Sequence, residues 1–555
     1  MAELRIAIAQ IDTCVGDIEG NVSKILEWSR KAAEQNADVV VFPEMTITGY
    51  PIEDLALRAS FQRAAEAALH ETAEQLNSEG LGDLRVIVGS LGALTLSDHV
   101  PMDRPTNRAA VLSHGLIEAA YDKHHLPNYG VFDEFRIFAS GDTTTVIDVK
   151  GRRLGLAICE DIWQDGGPVA ELEKLGISAL ITLNGSPFEE GKSDVRLGLA
   201  QRRAKAVGAP LIYANSTGGQ DDLVFDGGSF VVAPGGEVLA RAPMFTEHLL
   251  LWDLAEDDNE PHYGEIAPEL ENDHEVYQAV VTGLRGYITK NGFKSVVLGL
   301  SGGIDSAIVA VICADAIGGE NVYGISMPSV YSSDHSKDDA EDLAKRIGAH
   351  YTVQPIAPMV DAFQGQLHLE GVSEENLQAR VRGIILMAAS NMHGHLVIAT
   401  GNKSELAVGY STIYGDAVGG YAPIKDVDKS RVWELSRWRN NHAIDNGEIP
   451  PIPESSITKP PSAELRPGQV DQDSLPPYDL LDAVLDAHIE NSEGRQELEA
   501  RGFKPEVVDK VVSLVDRAEW KRRQYPLGPK VTALAFGRDR RVPITSRWRE
   551  PQNEQ

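Results

Sequence analysis

Cysteine is scarce: the 555 residues hold three, Cys14, Cys159 and Cys313. Three widely spaced thiols exclude a disulfide framework and a cysteine metal cluster, and they fit a reducing, cytoplasmic setting. Long apolar runs are missing too. No window approaches the roughly 20 apolar residues that span a bilayer, so no membrane helix is expected. Basic residues are in deficit: Lys plus Arg is 51 against 83 for Asp plus Glu, a formal charge of −32. That balance excludes an ordinary basic nucleic-acid binder and argues against docking on anionic membranes. It leaves room for an anionic small molecule, because a few backbone N–H groups and one lysine can hold a phosphate locally. The N-terminus has no basic segment followed by an apolar core, so no secretory leader is expected. No repeat of fixed period is visible.

What is present is ordinary globular material, 42% hydrophobic and 24% charged. The length suggests two large domains or several smaller ones. Strand-like runs at 4–11, 38–42, 84–90, 108–113, 154–159, 179–184 and 210–215 alternate with amphipathic segments. Helices are expected over 20–35, from about 52 onward, and over 194–207, and late strands at 229–233 and 237–241. Many strands with helices outside them point to a layered α/β domain. The stretch AEDDNEPHYGEIAPELEND is acidic and low in apolar periodicity, and reads as a solvated linker. After it a second α/β rhythm begins: helix 276–290, strand 295–300, helix 304–317, strand 322–327, helix 336–347, strand 351–354, helix 377–391 and strand 396–400. This is the pattern of a mostly parallel sheet covered on both faces. Residues 449–478 are Pro-rich and read as an ordered or gated loop. A helix pair at 478–485 and 505–521 and a basic tail close the chain. The expected division is 1–254, a linker at 255–274, a second domain at 275–545, and a tail at 546–555.

Two constellations carry chemistry. In the first half, Glu44 follows the apolar run ending at Phe42-Pro43, Lys123 follows Tyr121-Asp122, and Cys159 ends the run Leu156-Ala157-Ile158. Ligands gather at the carboxyl ends of strands in an α/β sheet. A thiol there can attack a carbonyl if a carboxylate takes its proton and a cation steadies the oxyanion. Spacing alone does not show that the three meet, and a lone strand-end cysteine is more often a small buried hydrophobe. In the second half, SVVLGLSGGIDS runs a strand through two glycines into a helix start. Glycines let the backbone approach an anion, and helix-start N–H groups point at it. The hydroxyls of Ser301 and Ser306 can add hydrogen bonds, and Asp305 suits a magnesium ion bridging phosphate oxygens. The loop is neither GxxxxGK[ST] nor the three-glycine dinucleotide fingerprint.

Residues 4–250 resemble the nitrilase (carbon–nitrogen hydrolase) family through VVVFPEMTITGY, YDKHHLPNYGVFDEFRIFASG and GLAICEDIW, in that order. The resemblance implies Glu44 as general base, Lys123 as oxyanion-side cation and Cys159 as nucleophile. It implies Glu134 as a second carboxylate steadying the lysine, and Tyr50 and Ser186 as glutamine-pocket residues. Cys14 and Cys313 are left as structural. SGGIDS is similar to the signature of the pyrophosphate-loop ATPases, which split ATP between its α- and β-phosphates. With ENLQAR, ATGNKSEL, GYSTIYGD, DKSR and KPPSAEL, residues 275–545 resemble the NAD synthetases, and the whole chain the glutamine-dependent ones. Glu405 is preceded by Gly401-Asn402-Lys403-Ser404 rather than the Gly-Thr-Asp-His of the one-domain, ammonia-using branch.

The implied fold is α/β: a nitrilase-like α-β-β-α sandwich, then a doubly wound parallel-sheet domain of the adenine-nucleotide α-hydrolase kind. Ser301, Gly302, Gly303, Asp305, Ser306 and Thr400 would take ATP and its pyrophosphate, with Asp305 and Glu405 on the Mg2+ side. Asn376, Arg380, Asp416, Lys429, Lys459 and Ser462 would meet the dinucleotide, the last two from a segment that closes over substrate. The implied partners are glutamine, nicotinate adenine dinucleotide and ATP, with no nucleic acid and no membrane, in a homo-oligomer. Water would protonate and dilute free ammonia, so an enclosed route between the sites is expected. The alternative is a ligase of the same type acting on a different carboxylate.

Overall fold

In the computed structural model the described residues are 3–92, 104–255 and 262–548. The chain forms two compact units, Met1–Glu271 and Asn272–Gln555.

The first unit is built on two six-stranded sheets. One runs, edge to edge, Leu116–Asp122, Thr106–Ser113, Arg85–Gly92, Val39–Val41, Leu4–Gln10 and His248–Leu254. The other runs Val146–Val149, Arg152–Ile158, Ala179–Asn184, Leu211–Asn215, Phe230–Val232 and Val238–Arg241. Leu4, Ile6 and Ile8 share one buried cluster with Leu154, Leu156 and Ile158, so the sheets pack face to face. Ala7 and Ala9, on the opposite face of the first strand, pack with Ile25, Leu26 and Leu69 of the outer helices Ile18–Glu34 and Ala59–Ser78. The helices Gly167–Leu175 and Lys192–Val207 cover the second sheet in the same way. A strand buried on both faces needs no polar alternation, which is why these segments read as continuous apolar runs.

Some elements differ from the expected ones. The helix expected from residue 52 is interrupted: a 3-10 turn, Glu53–Leu57, ends at Arg58, which is extended, and the α-helix starts at Ala59. The strand-like segment expected before Lys123 is Leu116–Asp122, whereas the strands Val146–Val149 and His248–Leu254 were not anticipated, since each has at least one partly exposed face and a mixed polar pattern. Residues 262–267 stay with this unit, where Ile266 bridges Arg241.

The second unit holds a four-stranded, all-parallel sheet in the order His350–Val353, Val322–Ser326, Val296–Gly299, Leu396–Val397. The chain moves outward through three strands and then returns to the other side of Val296–Gly299. This reversal opens a crevice at the carboxyl end of that strand. The helix Asn272–Lys290 begins before the expected residue 276. The strand expected at 396–400 stops at Val397, and Ile398, which still donates to the Val297 carbonyl, also bridges Tyr421. The helix Lys429–Asp445 was not foreseen: its inward stripe includes Ser436 and Asn440, which blurs the apolar period. Cys313 lies fully buried in the helix Ile304–Ile317, and burial pushes its thiol up, as suits a core residue. Among the described residues no helix is long and apolar enough to cross a membrane.

Candidate active sites

In the first unit, three strand ends converge. Glu44 lies three residues beyond Val39–Val41, Lys123 directly follows Leu116–Asp122, and Cys159 directly follows Arg152–Ile158. The Lys123 ammonium donates to Glu44 Oε1 at 2.7 Å and to Glu134 Oε2 at 2.8 Å. These three side chains are between 0% and 4% exposed. A single cation between two buried carboxylates is tolerated only because each charge is paired. Burial pulls Lys123 down, but the two carboxylates outweigh it and its net displacement is upward. Burial and the neighbouring Glu44 charge push Glu134 up, against the pull of Lys123.

Cys159 sits at φ 42°, a left-handed conformation that costs a non-glycine residue of order 1 kcal/mol or more. Its neighbours explain how the turn is held. Asp161 accepts from Ile158 N at 3.0 Å and Tyr121 Oη at 2.7 Å on one oxygen, and from His125 N at 2.8 Å on the other. One buried carboxylate therefore ties the cysteine turn to the segment that carries Lys123. Burial, then Glu44, push the Cys159 thiol well up, and Lys123 only partly offsets them. The thiol at rest is protonated, so a base must take its proton as sulfur attacks.

Glu44 is further fixed by Asn107 Nδ2 on Oε1 and by the Gly185 amide on Oε2, at 2.7 and 2.8 Å. A Cβ at Gly185 would come within 2.9 Å of the Tyr50 ring, so only glycine brings this amide so close. Tyr50 donates its hydroxyl to Glu134 at 2.8 Å. Ser186 turns its hydroxyl to Arg196 Nε at 3.0 Å. Tyr129 donates to Glu160, the residue after the cysteine, at 2.8 Å. Asn107, Asp161, Glu160 and Arg196 were not read from the sequence. Glu160 and Asp161 stood beside the cysteine in GLAICEDIW, but their partners are remote in the chain.

In the second unit a cavity of about 270 Å3 lies at the reversal point of the sheet. Ser301, Gly303, Asp305, Ser306, Thr400 and Glu405 line it, as do Asp416, Lys429, Lys459 and Ser462. In the loop, Gly303 N donates to Ser301 Oγ at 3.2 Å, and Ser306 Oγ donates to the Gly303 carbonyl at 3.0 Å. Gly302 has φ 76°, and a Cβ there would lie 2.2 Å from the Ser336 carbonyl oxygen. Gly302→Ala therefore cannot keep this loop. The expected result is a rise of about 10- to 100-fold in the KM for ATP with the KM for glutamine unchanged, measured by initial rates.

Asp305 accepts from Asn402 Nδ2 at 3.0 Å and, on its other oxygen, from the buried Lys429 ammonium. Burial and the Asp305 charge push Glu405 well up, with Lys429 opposing. Lys429 is the cation that offsets the two carboxylates. Among the described residues no group of three or more His, Cys, Asp or Glu is set to hold a metal. Two carboxylates on the cavity wall are oxygen donors of the kind a magnesium ion takes, so the residues would fit that ion. Lys459 donates to Ser336 Oγ and to Glu464 Oε1, which draws the 459–465 segment onto the cavity wall.

Asn376 and Arg380 are not brought to the cavity wall. Asn376 Oδ1 accepts from Thr412 Oγ1 at 2.8 Å, and Arg380 Nε donates to the Ile413 carbonyl at 3.3 Å. They hold the loop that carries Asp416. Arg382, two residues along the same helix, lines the cavity instead. The repeated arginine in ENLQARVR was the available signal.

The fold and the two sites define an amide-hydrolysing unit joined to a nucleotide-using synthetase unit. Residues 5–259 match the carbon–nitrogen hydrolase family and residues 276–525 the NAD synthase family. The glutamine-dependent NAD(+) synthetase of Acinetobacter baylyi is 44% identical over 99% of each chain. That of Thermotoga maritima is 41% identical over 99% of this chain and all of its own. The solved glutamine-dependent NAD+ synthetase of Acinetobacter baumannii, in complex with ADP, is 41% identical with a TM-score of 0.78, over 99% of this chain and all of that one. The Cytophaga hutchinsonii enzyme, at 23% identity, 98% coverage of both chains and a TM-score of 0.83, shares the fold. The chain belongs to the glutamine-dependent NAD(+) synthetase family. It is a carbon–nitrogen ligase that takes its nitrogen from glutamine and uses ATP.

Proposed function

We propose that the Cys159 site supplies ammonia from glutamine and that the second-unit cavity spends it on an adenylated nicotinate carboxyl. The observation that carries this reading is the buried Lys123 bridging Glu44 and Glu134 beside a cysteine held in a left-handed turn. The Cys159 sulfur attacks the side-chain amide carbon of glutamine while Glu44 takes the thiol proton. Glu44 passes that proton to the leaving nitrogen, ammonia departs, and a thioester remains. Water, deprotonated by Glu44, releases glutamate and restores the thiol. The charge on Lys123 lies where the carbonyl oxygen becomes negative.

In the second unit the nicotinate carboxylate of nicotinate adenine dinucleotide attacks the α-phosphorus of ATP. The bond to the β-phosphate breaks and pyrophosphate leaves. Ammonia then attacks the activated carbonyl, AMP departs, and NAD forms. The loop from Ser301 to Ser306 receives pyrophosphate oxygens on its amides and hydroxyls. Lys429 and Arg382 supply positive charge at the cavity wall, and segment 459–465 excludes water that would hydrolyse the adenylate. Asp305 and Glu405 are the residues that would hold Mg2+, which when bound supplies charge neutralisation at the phosphates. Three free thiols suit a reducing cytoplasm as the place of action. The deciding experiment follows AMP and pyrophosphate from ATP and nicotinate adenine dinucleotide, with and without glutamine. Equimolar AMP, pyrophosphate and NAD are expected, and ADP in place of AMP overturns the reading.

The pH dependence of glutamine hydrolysis follows from the lifted Glu134. A carboxyl held above its ordinary range takes up a proton at higher pH than a free one, and Glu134 shares the Lys123 ammonium with Glu44. Once it is neutral, Lys123 turns its full charge on Glu44 and weakens the base. Hydrolysis is expected to fall as pH drops toward the acid side of neutrality, above the usual carboxylate range. Glu134→Gln removes that titration, so the acid limb moves downward, at a lower plateau rate.

A further inference from the structure

The two oxygens of Glu44 are used unequally. Oε1 accepts from both Lys123 and Asn107, whereas Oε2 accepts from the Gly185 amide, at 2.8 Å. Oε1 is crowded with donors, so Oε2 keeps the lone pair that can take the thiol proton. The direction of that lone pair is set by where the Gly185 N–H points.

The next two residues are gripped by one buried guanidinium. Arg196, on the helix Lys192–Val207, donates from Nη2 to the carbonyls of Ser186 and Pro187 at 3.0 and 2.6 Å, and from Nε to Ser186 Oγ at 3.0 Å. Its Nη1 donates to Asp226 Oδ2 at 2.6 Å, and both side chains are 3% exposed. Asn215 closes the frame: it accepts from Ser186 N at 3.0 Å and donates to the Gly227 carbonyl at 3.1 Å. A fully buried Arg–Asp pair is a costly way to hold a loop unless its geometry is used. Three carbonyl or hydroxyl acceptors on one rigid planar fork fix a loop as few side chains can.

We propose that Arg196, held by Asp226 and Asn215, is a positioning residue that aims Glu44 for proton transfer through the Gly185 amide. This rests on the reading that the Cys159 site hydrolyses glutamine. Arg196 does not touch the reacting atoms; it acts through residues 185–187. A lysine in its place keeps the charge beside Asp226 but cannot span both carbonyls and the hydroxyl. The Gly185 N–H then drifts from Oε2, and the lone pair that takes the thiol proton is no longer aimed.

The test uses the full-length chain with Arg196→Lys and, separately, the isosteric Asp226→Asn. Glutamine hydrolysis is followed for kcat and the KM for glutamine, with ammonia-supported NAD formation alongside. The expected result is a fall in kcat of about 10- to 100-fold that exceeds any rise in the KM for glutamine at least tenfold. Ammonia-supported synthesis stays within about twofold. A loss of activity carried by the KM for glutamine, or kcat within twofold of wild type in both variants, overturns the proposal. If Arg196→Lys does not fold, Asp226→Asn decides by the same two readouts. A wild-type chain that releases no ammonia from glutamine would overturn the glutaminase reading itself, a result separate from either outcome in the variants.

Discussion

Cys159→Ala is expected to abolish glutamine-supported NAD formation, by about 10^4-fold or more, and to leave ammonia-supported formation within about twofold of wild type. The substitution is unusually clean. Alanine keeps the Cβ, so the left-handed strain at φ 42° is the same in both chains, and the Asp161 contacts to Ile158, Tyr121 and His125 do not involve the sulfur. What is removed is the nucleophile and its proton. The two nitrogen sources are compared in parallel by NAD formation at saturating ATP and nicotinate adenine dinucleotide. Equal loss with both sources would mean that the cysteine supports folding rather than chemistry. Cys313→Ala supplies the contrast: it empties a small volume in an apolar helix, costs about 1–2 kcal/mol of stability, and leaves both rates nearly unchanged.

The first site was legible where chemistry is written in adjacent letters. Glu44 and Cys159 each close an apolar run and Lys123 a strand-like segment, and a strand end in an α/β sheet is a place for ligands. The second was legible only from SGGIDS together with ENLQAR, ATGNKSEL, GYSTIYGD, DKSR and KPPSAEL, because two glycines between a strand and a helix also serve a plain tight turn. What stayed hidden depends on remote contacts. Asn107 reaches Glu44 across 63 positions, and the Gly185 amide across 141. Asp161 was in plain view, but its acceptor role exists only once the segment after Tyr121 folds beside it. Arg196 sits in a polar helix where an arginine reads as surface, and its burial follows from the carbonyls it meets. The same limit explains Asn376 and Arg380: a helix places residues on one face only three or four positions apart, so Arg382 enters the cavity while Arg380 turns to the Ile413 carbonyl. The fold repeats the pattern. Strands buried on both faces were recognised from composition, while His248–Leu254, at a sheet edge, and the largely polar helix Lys429–Asp445 were found only by their pairing and packing.

Asp305→Asn is expected to cut NAD formation by about 10^3-fold with either glutamine or ammonia. The argument starts from charge. Lys429 is buried and pairs with Asp305, and Glu405 stands close enough that Asp305 pushes its carboxyl up. An asparagine there presents an amide where Lys429 and Asn402 both donate, so one of these contacts becomes donor against donor. Breaking one side of a buried ion pair costs about 3–5 kcal/mol. A loss of similar size in the transition state is about 10^3 in rate. Because free ammonia bypasses the Cys159 site, an equal fall with both nitrogen donors assigns the defect to the second unit, and alkylation of Cys159 at the wild-type rate shows the first unit intact. Asp305→Glu keeps the charge but lengthens the arm into a cavity of about 270 Å3, so a milder loss is expected, carried mainly by the KM for ATP. A fall of less than tenfold in Asp305→Asn would remove Asp305 from the phosphate chemistry and leave the Lys429 pair as a device of folding alone.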